Sequence, residues 1–254
     1  MANPQMPIFY SKPETLDPKQ HADLALADPM SYAFAAKTNA ITLTIAEMPR
    51  AALSFPVVFS PTGAPPAPVA ILGLRDDENL FVDEAGTWLD GAYIPAYVRR
   101  YPFIFSRLPA EQEGAEPRLA LAVDMVDRAV VTGGDKRFFE ADESPSELTR
   151  NALDFCGQYQ GAALQTEAFA EAVESAGLLK EHTQFVDIPG KHRVKFSGVR
   201  VVDEGKLATL DDGVFLDWRA KGWLPFLYTH LVSMGQWERL ARLILPRLQP
   251  RERG

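Results

Sequence analysis

The feature that most limits the fold of this chain is a change of hydrophobic period part-way along it. Up to about residue 125, apolar residues alternate with polar ones or run in short blocks such as "AITLTI", "FPVVF", "VAILGL" and "RLALAVDM". That is strand spacing. After Ser144 the apolar residues recur at helical spacing, until "VKFSGVRVVDE" from Val194 returns to strand. Side chains alternate faces along a strand and repeat every 3.6 residues along a helix, so one segment cannot serve both patterns. Strands first, helices late and one strand returning predict an α+β fold. Its mainly antiparallel sheet comes from the N-terminal half plus the late strand, and its helices concentrate in the C-terminal half.

Within that frame "YAFAA" and "AITLTI" read as two strands joined at "KTN", and "ENLFVDEAGTWL" as a hairpin turning at Glu84-Ala85-Gly86. "SPSE", Ser144 to Glu147, has the form of a capping box with proline at the first helical position. It predicts a helix from Pro145 to Tyr159, followed by a second over Glu167 to Ala176 that Gly177 ends in a left-handed conformation. "GVFLDWRAK" reads as a short helix stopped by Gly222, and Pro225 opens a last helix toward Leu245. Five prolines in the first thirty residues predict an extended arm over 1–31, leaving 32–254 as one α+β domain. No clean boundary divides that domain; the polar stretch "VVTGGDKRFFEADES" is the place, near 131–145, where it could subdivide.

The chain has 254 residues, 46% hydrophobic and 24% charged, which is ordinary globular composition. Its longest apolar run, "LPFLYTHLVSM", is too short and interrupted to span a bilayer. "MANPQMPIFYS" lacks the basic start and apolar core of a secretory signal, and the single Cys156 fits a reducing compartment. A cytoplasmic location is therefore expected. The net charge of −8 opposes attraction to nucleic acid and anionic lipid. Basic residues do gather at Arg99, Arg100 and Arg107, at Lys191, Arg193 and Lys195, and at Arg239, Arg242, Arg247, Arg251 and Arg253. No nucleic-acid partner is expected.

Motifs that fix a chemistry are not found. There is no glycine-rich phosphate loop and no G-x-S-x-G elbow. Cys156 falls inside a helical pattern, where it reads as a small buried hydrophobe. His21 and Asp23 have the spacing of two iron ligands, with His182, His192 or His230 as a third. They lie, however, in the proline-rich arm rather than on a rigid scaffold, so no metal and no cofactor are expected. His230 shares a helical face with Phe226, Ser233, Met234 and Trp237, which reads first as a hydrogen-bonded core histidine and second as a general base. In "VVDEGKL", Asp203 and Glu204 read first as a solvated turn beside Lys206, and second as an acid–base pair.

The densest recognition chemistry is in "DGAYIPAYVRRYPF", which holds Tyr93 before Pro95, and Tyr97, Arg99, Arg100 and Tyr101 between Pro95 and Pro102. Pro95 is pre-set for the first turn of a helix and Pro102 pushes Tyr101 out of helical geometry, so the helix is brief. Arg99 and Arg100 diverge by about 100° around it, which leaves one of them to reach a given anion. Either the tyrosines close over the sheet and an arginine pairs with Asp83, Glu84 or Asp90, or a guanidinium holds a small anion or a peptide carboxylate.

The segments "NLFVDEAGTWLDGAYIPAYVRRYPF" and "GVRVVDEGKLATLDD…GWLPFLYTHLVSM", with "YAFAAKTNAITLTIAEM" before them, resemble the bacterial SapC-like family. The likeness runs from about Tyr32 to Trp237. It implies a soluble protein with a surface-layer-associated name, and it brings no catalytic residues with it. Three functions follow as expectations. The first is a non-catalytic binding or accessory protein that recognises a peptide, a glycan precursor, another small molecule or a partner protein through the Tyr93–Tyr101 segment. The second is an enzyme drawing on Asp83, Glu84, Arg99, Arg100, Asp124, Asp203, Glu204 or His230. The third is a structural component of a surface layer.

Overall fold

The computed structural model describes residues 6–108, 118–126, 128–188, 190 and 193–248. Lys191, His192, Arg251, Arg253 and the polar loop "PAEQEGAEP" lie outside the described residues. Strands run over β1 (Pro13–Thr15), β2 (Leu24–Leu26), β3 (Ala40–Thr42), β4 (Val57–Phe59), β5 (Pro68–Ile71), β6 (Phe103–Leu108), β7 (Arg118–Asp124), β8 (Val130–Thr132), β9 (Leu179–Asp187) and β10 (Arg193–Val202). Helices are α1 (Pro18–His21), α2 (Met48–Ala51), α3 (Ala96–Arg100), α4 (Glu147–Ser175), α5 (Glu204–Ala208), α6 (Asp212–Ala220), α7 (Leu224–Ser233) and α8 (Trp237–Leu248). The chain divides into two units, Met1–Phe34 with Val98–Gln160, and Ala35–Tyr97 with Gly161–Gly254. The expected α+β class is what the structure has, with the long helices in the C-terminal half.

In unit 1, β7 lies between β1 and β6, and β2 pairs with β8, all antiparallel. Parts of the stretch read as an extended arm, Pro13–Thr15 and Leu24–Leu26, are thus strands of this unit. One core gathers Phe103, Leu121, Val123, Phe138, Phe139, Ala152 and Cys156, so the first turns of α4 pack against the sheet. A smaller cluster holds Tyr10, Tyr101 and Ala129. The α4 cap lies two residues beyond the one expected. Ser146, not Ser144, accepts the Thr149 N–H (3.2 Å), while Ser144 donates its own N–H to Asp142 (3.0 Å). Pro145 instead bridges Phe139, so its ring precedes the helix rather than starting it.

Unit 2 is built on a five-stranded antiparallel sheet in the order β3-β5-β4-β10-β9. The late strand β10 does rejoin the early strands, meeting β4 at Arg200 and Phe59. Its long pairing with β9 is interrupted by a bulge between Phe196 and Val199. Gly198 sits there at φ +82°, a conformation that an L side chain resists. Phe55, Phe59, Phe81, Leu227 and Leu240 form the fully buried interior.

Three expected elements take another form. Tyr32–Ala35 is a turn of 3₁₀ helix rather than a strand. The Leu80–Leu89 hairpin reduces to a single bridge between Val82 and Trp88, around Gly86 at φ +78°. The two helices predicted over 145–176 are one helix, α4, of 29 residues. Its middle, "GAALQ", is rich in strong helix formers, whose preference outweighs the cost of about 1 kcal/mol for each glycine. The stop at Gly177 is as expected, at φ +66°.

Candidate functional site

Unit 1 contains a cavity of about 360 Å³. One wall is the α4 stripe Leu148, Asn151, Ala152, Phe155 and Cys156, at the i, i+3, i+4, i+7, i+8 spacing of a single helical face. The facing wall is Val98 to Tyr101, the end of α3 and the residue after it, with Phe103 of β6 beyond. Met30, Tyr32 and Phe34 close it with apolar and aromatic surface, and Lys136 stands at its border. Among the described lining residues three are cationic (Arg99, Arg100 and Lys136) and none is a carboxylate.

Both arginines stack on aromatic rings. The Arg99 guanidinium lies 5.2 Å from the Phe155 ring centre, and that of Arg100 lies 4.5 Å from Tyr159 and 5.7 Å from Tyr10. Stacking on a ring occupies the face of a guanidinium and not its in-plane N–H groups. Lys136 pairs with Asp28 at 2.9 Å. Both arginines therefore line one cavity, although their Cα positions diverge by about 100° on the helix. Their long stems make up the difference.

Tyr101 is the anchor of this wall. Its ring stacks on Phe34 at 4.1 Å and 29°, and its edge contacts reach Phe9 and Tyr10. Its hydroxyl donates to buried Asp124 (2.9 Å) and accepts from Arg128 (3.3 Å). Burial pushes the Tyr101 phenol above its usual pKa, so it stays protonated at neutral pH. Asp124 also accepts the N–H groups of Ser11 (2.8 Å) and Lys12 (2.5 Å), which fastens β1 to the same point. Burial pushes the Cys156 thiol up to about 11, beyond the range of a thiolate nucleophile.

Tyr93 and Tyr97 belong to unit 2. The Tyr93 hydroxyl donates to buried Glu47 (3.1 Å), its N–H donates to Ser54 (2.9 Å), and Arg50 lies over its ring at 5.4 Å. Glu47 also accepts the Ala96 N–H (2.6 Å) and that of Thr44 (2.8 Å), so it sets the path of the chain into α3. Sequence reasoning missed Glu47, which sits where a 3₁₀ turn meets α2 in an otherwise apolar run. It also missed Lys136, which lies in the polar stretch read as a subdivision.

The remaining sequence candidates serve local structure in unit 2. Asp83 accepts the Thr87 N–H (2.8 Å) in the turn that carries exposed Glu84. Asp203 caps α5 through the N–H groups of Gly205 and Lys206 and lies 3.4 Å from Lys180; the Lys206 N–H, first among these, holds its carboxyl below the usual range. Glu204 is exposed in the first turn of that helix. His230 is fully buried, donating from Nδ1 to the Val57 carbonyl (2.6 Å) and accepting the Val202 N–H at Nε2 (3.1 Å). It ties α7 to β4 and β10, and burial pushes its pKa down to about 4. In unit 1, His21 accepts the Asp17 N–H at Nδ1 (3.0 Å), which closes α1.

No helix among the described residues is long and apolar enough to cross a membrane. No curated protein and no solved structure shows a significant match to this chain. With its cavity wall built on the tyrosine–arginine stretch that carried the resemblance, and with the SapC family model matching residues 16–240 of 254, the chain belongs to the SapC family.

Proposed function

We propose that this SapC-family protein is a non-catalytic binding protein of the cytoplasm, whose unit 1 cavity holds the C-terminal carboxylate of a peptide with an apolar last residue. The observation that carries this reading is the lining: cations at Arg99, Arg100 and Lys136 against apolar and aromatic walls, with no carboxylate among the described lining residues. A desolvated carboxylate needs a charge-assisted, preferably bidentate partner, which a guanidinium supplies. The apolar walls suit the side chain next to it. A volume of about 360 Å³ is at the small end of ligand clefts, which suits a chain terminus rather than a folded surface. The raised Cys156 pKa supports binding over covalent chemistry.

The test compares N-acetyl-Phe-Phe with its C-terminal amide and with phenyl phosphate, by saturation-transfer NMR on the full chain. Binding of the acid alone, weakened at least tenfold by Arg100→Ala, is expected. Equal binding of acid and amide overturns the reading, and preference for phenyl phosphate replaces the carboxylate with a phosphoryl group.

A further inference from the structure

We propose a second, independent binding site in unit 2, the groove between β9 and α8, where an extended segment of a partner polypeptide joins the sheet beside β9 as a sixth strand. Among the described strands β9 ends the sheet, pairing with β10 along one margin. The groove, about 430 Å³, is lined on that side by Gln184, Phe185, Val186 and Asp187. Successive side chains of a strand point to opposite faces. A groove bordered by four consecutive residues therefore runs along the strand's margin, where no other described strand pairs with β9, and not over one face. The Phe185 carbonyl accepts from the Gln184 side-chain amide (3.1 Å), a local substitute for the strand partner that an edge lacks.

The opposite wall is one stripe of α8, formed by Trp237, Glu238, Ala241 and Arg242. From Trp237 to Arg242 the helix rises about 7.5 Å, and four strand residues span about 10 Å, so the two walls have comparable reach. A free edge is usually guarded by charge or proline. Here Lys180 and Glu181 guard the first half of β9, whereas the second half presents Phe185 at 50% exposure. This is the arrangement by which an edge strand recognises a peptide: main-chain hydrogen bonds supply affinity and the flanking wall selects side chains.

The wall also states what it selects. Buried Val186, Trp237 and Ala241 with exposed Phe185 accept an apolar side chain. The Asp187 carboxylate is already neutralised by Arg193, at 2.6 and 3.1 Å. Glu238 and Arg242 are exposed, and neither makes an ion pair or hydrogen bond among the described residues. One helical turn separates them by about 6 Å, close to the roughly 6.7 Å between residues j and j+2 of an extended chain. The partner segment thus carries a basic and an acidic residue two positions apart, with an apolar residue near them.

Panning the full chain against displayed random octapeptides, then titrating the enriched synthetic octapeptide by fluorescence anisotropy, tests this. The expected peptides show the base–x–acid spacing in either direction, and they slow amide hydrogen exchange at residues 183–187. Arg242→Glu, a surface change checked by circular dichroism, weakens their binding at least tenfold, and Ala241→Trp, which fills the groove, does the same. Absence of enrichment, or peptides bound equally by both variants, overturns the proposal. Protection of 183–187 by self-association without peptide also overturns it, assigning the edge to a second copy of the chain.

Discussion

In unit 2 the buried polar groups turn toward one another. Glu47 collects donors from Thr44, Tyr93 and Ala96, His230 uses both ring nitrogens, and Arg200 is shared between the Ser60 carbonyl and Glu174. In unit 1, Asp124 and Tyr101 are satisfied in the same way, but Arg99, Arg100 and Lys136 stand along a cavity. Burial and a displaced pKa therefore do not by themselves mark a site. His230 has a pKa displaced by burial and holds the sheet together, while Arg99 and Arg100, stacked on aromatic rings, line the cavity. The difference between the regions is whether the polar groups lie inside the fold or along the wall of a cavity.

The sharpest way to break that comparison is to remove an inward-turned group. His230→Ala strands the Val202 N–H, leaves the Val57 carbonyl only the longer bond from the Ser233 hydroxyl (3.3 Å) and opens a cavity, so a loss of about 3–5 kcal/mol is expected in urea denaturation. The same residue imposes a pH dependence. Its folded pKa of about 4 lies below the unfolded 6.5, so the unfolded chain binds the extra proton between those values. Stability is fully present above pH 6.5 and falls as pH drops toward 4, by on the order of 3 kcal/mol. His230→Gln should lack that slope. If the slope persists unchanged, another group is responsible and the interior role of His230 is misassigned.

Arg100→Ala belongs to the other region and should behave oppositely. It removes stacking on Tyr159 and Tyr10, which contributes about 1 kcal/mol, while costing at least tenfold in carboxylate affinity. A stability loss matching that of His230→Ala would place Arg100 with the interior groups and dissolve the contrast. A milder test of the inward-turned groups is Tyr93→Phe, which deletes one donor to Glu47 while its other partners remain. About 1 kcal/mol of stability should be lost, with carboxylate binding unchanged.

What was legible in the sequence follows the same division. Arg99, Arg100 and Tyr101 stood out because rings and cations concentrated between two prolines. The α4 stripe from Leu148 to Cys156 was readable from its helical spacing. The succession of strands then helices and the return of β10 came from period, with proline, glycine and a serine cap marking the helix ends. Lys136 and Met30 could not be assigned to the cavity, since only the tertiary fold brings them to Arg99. Strands of three residues such as β1, β2 and β8 are too short for a period to register. Strand β9, "LKEHTQFVD", was missed for another reason: polar residues occupy both of its faces, as suits an edge and not a sheet interior.

The smallest expected effect tests an exception. Trp237 lies in unit 2 and is 4% exposed, yet its indole N–H is buried without an acceptor among the described residues. Its ring contacts Phe196 at 5.2 Å and also lines the β9–α8 groove. Trp237→Phe gives up part of that apolar contact, on the order of 1 kcal/mol. It also removes a desolvated donor whose burial costs about 1–3 kcal/mol. The two contributions nearly cancel, so the urea midpoint should barely move, whereas Tyr93→Phe, which removes a satisfied donor, should lower it. A loss above about 2 kcal/mol for Trp237→Phe would mean that the indole N–H does meet an acceptor, and that the interior of unit 2 spends its polar groups without exception.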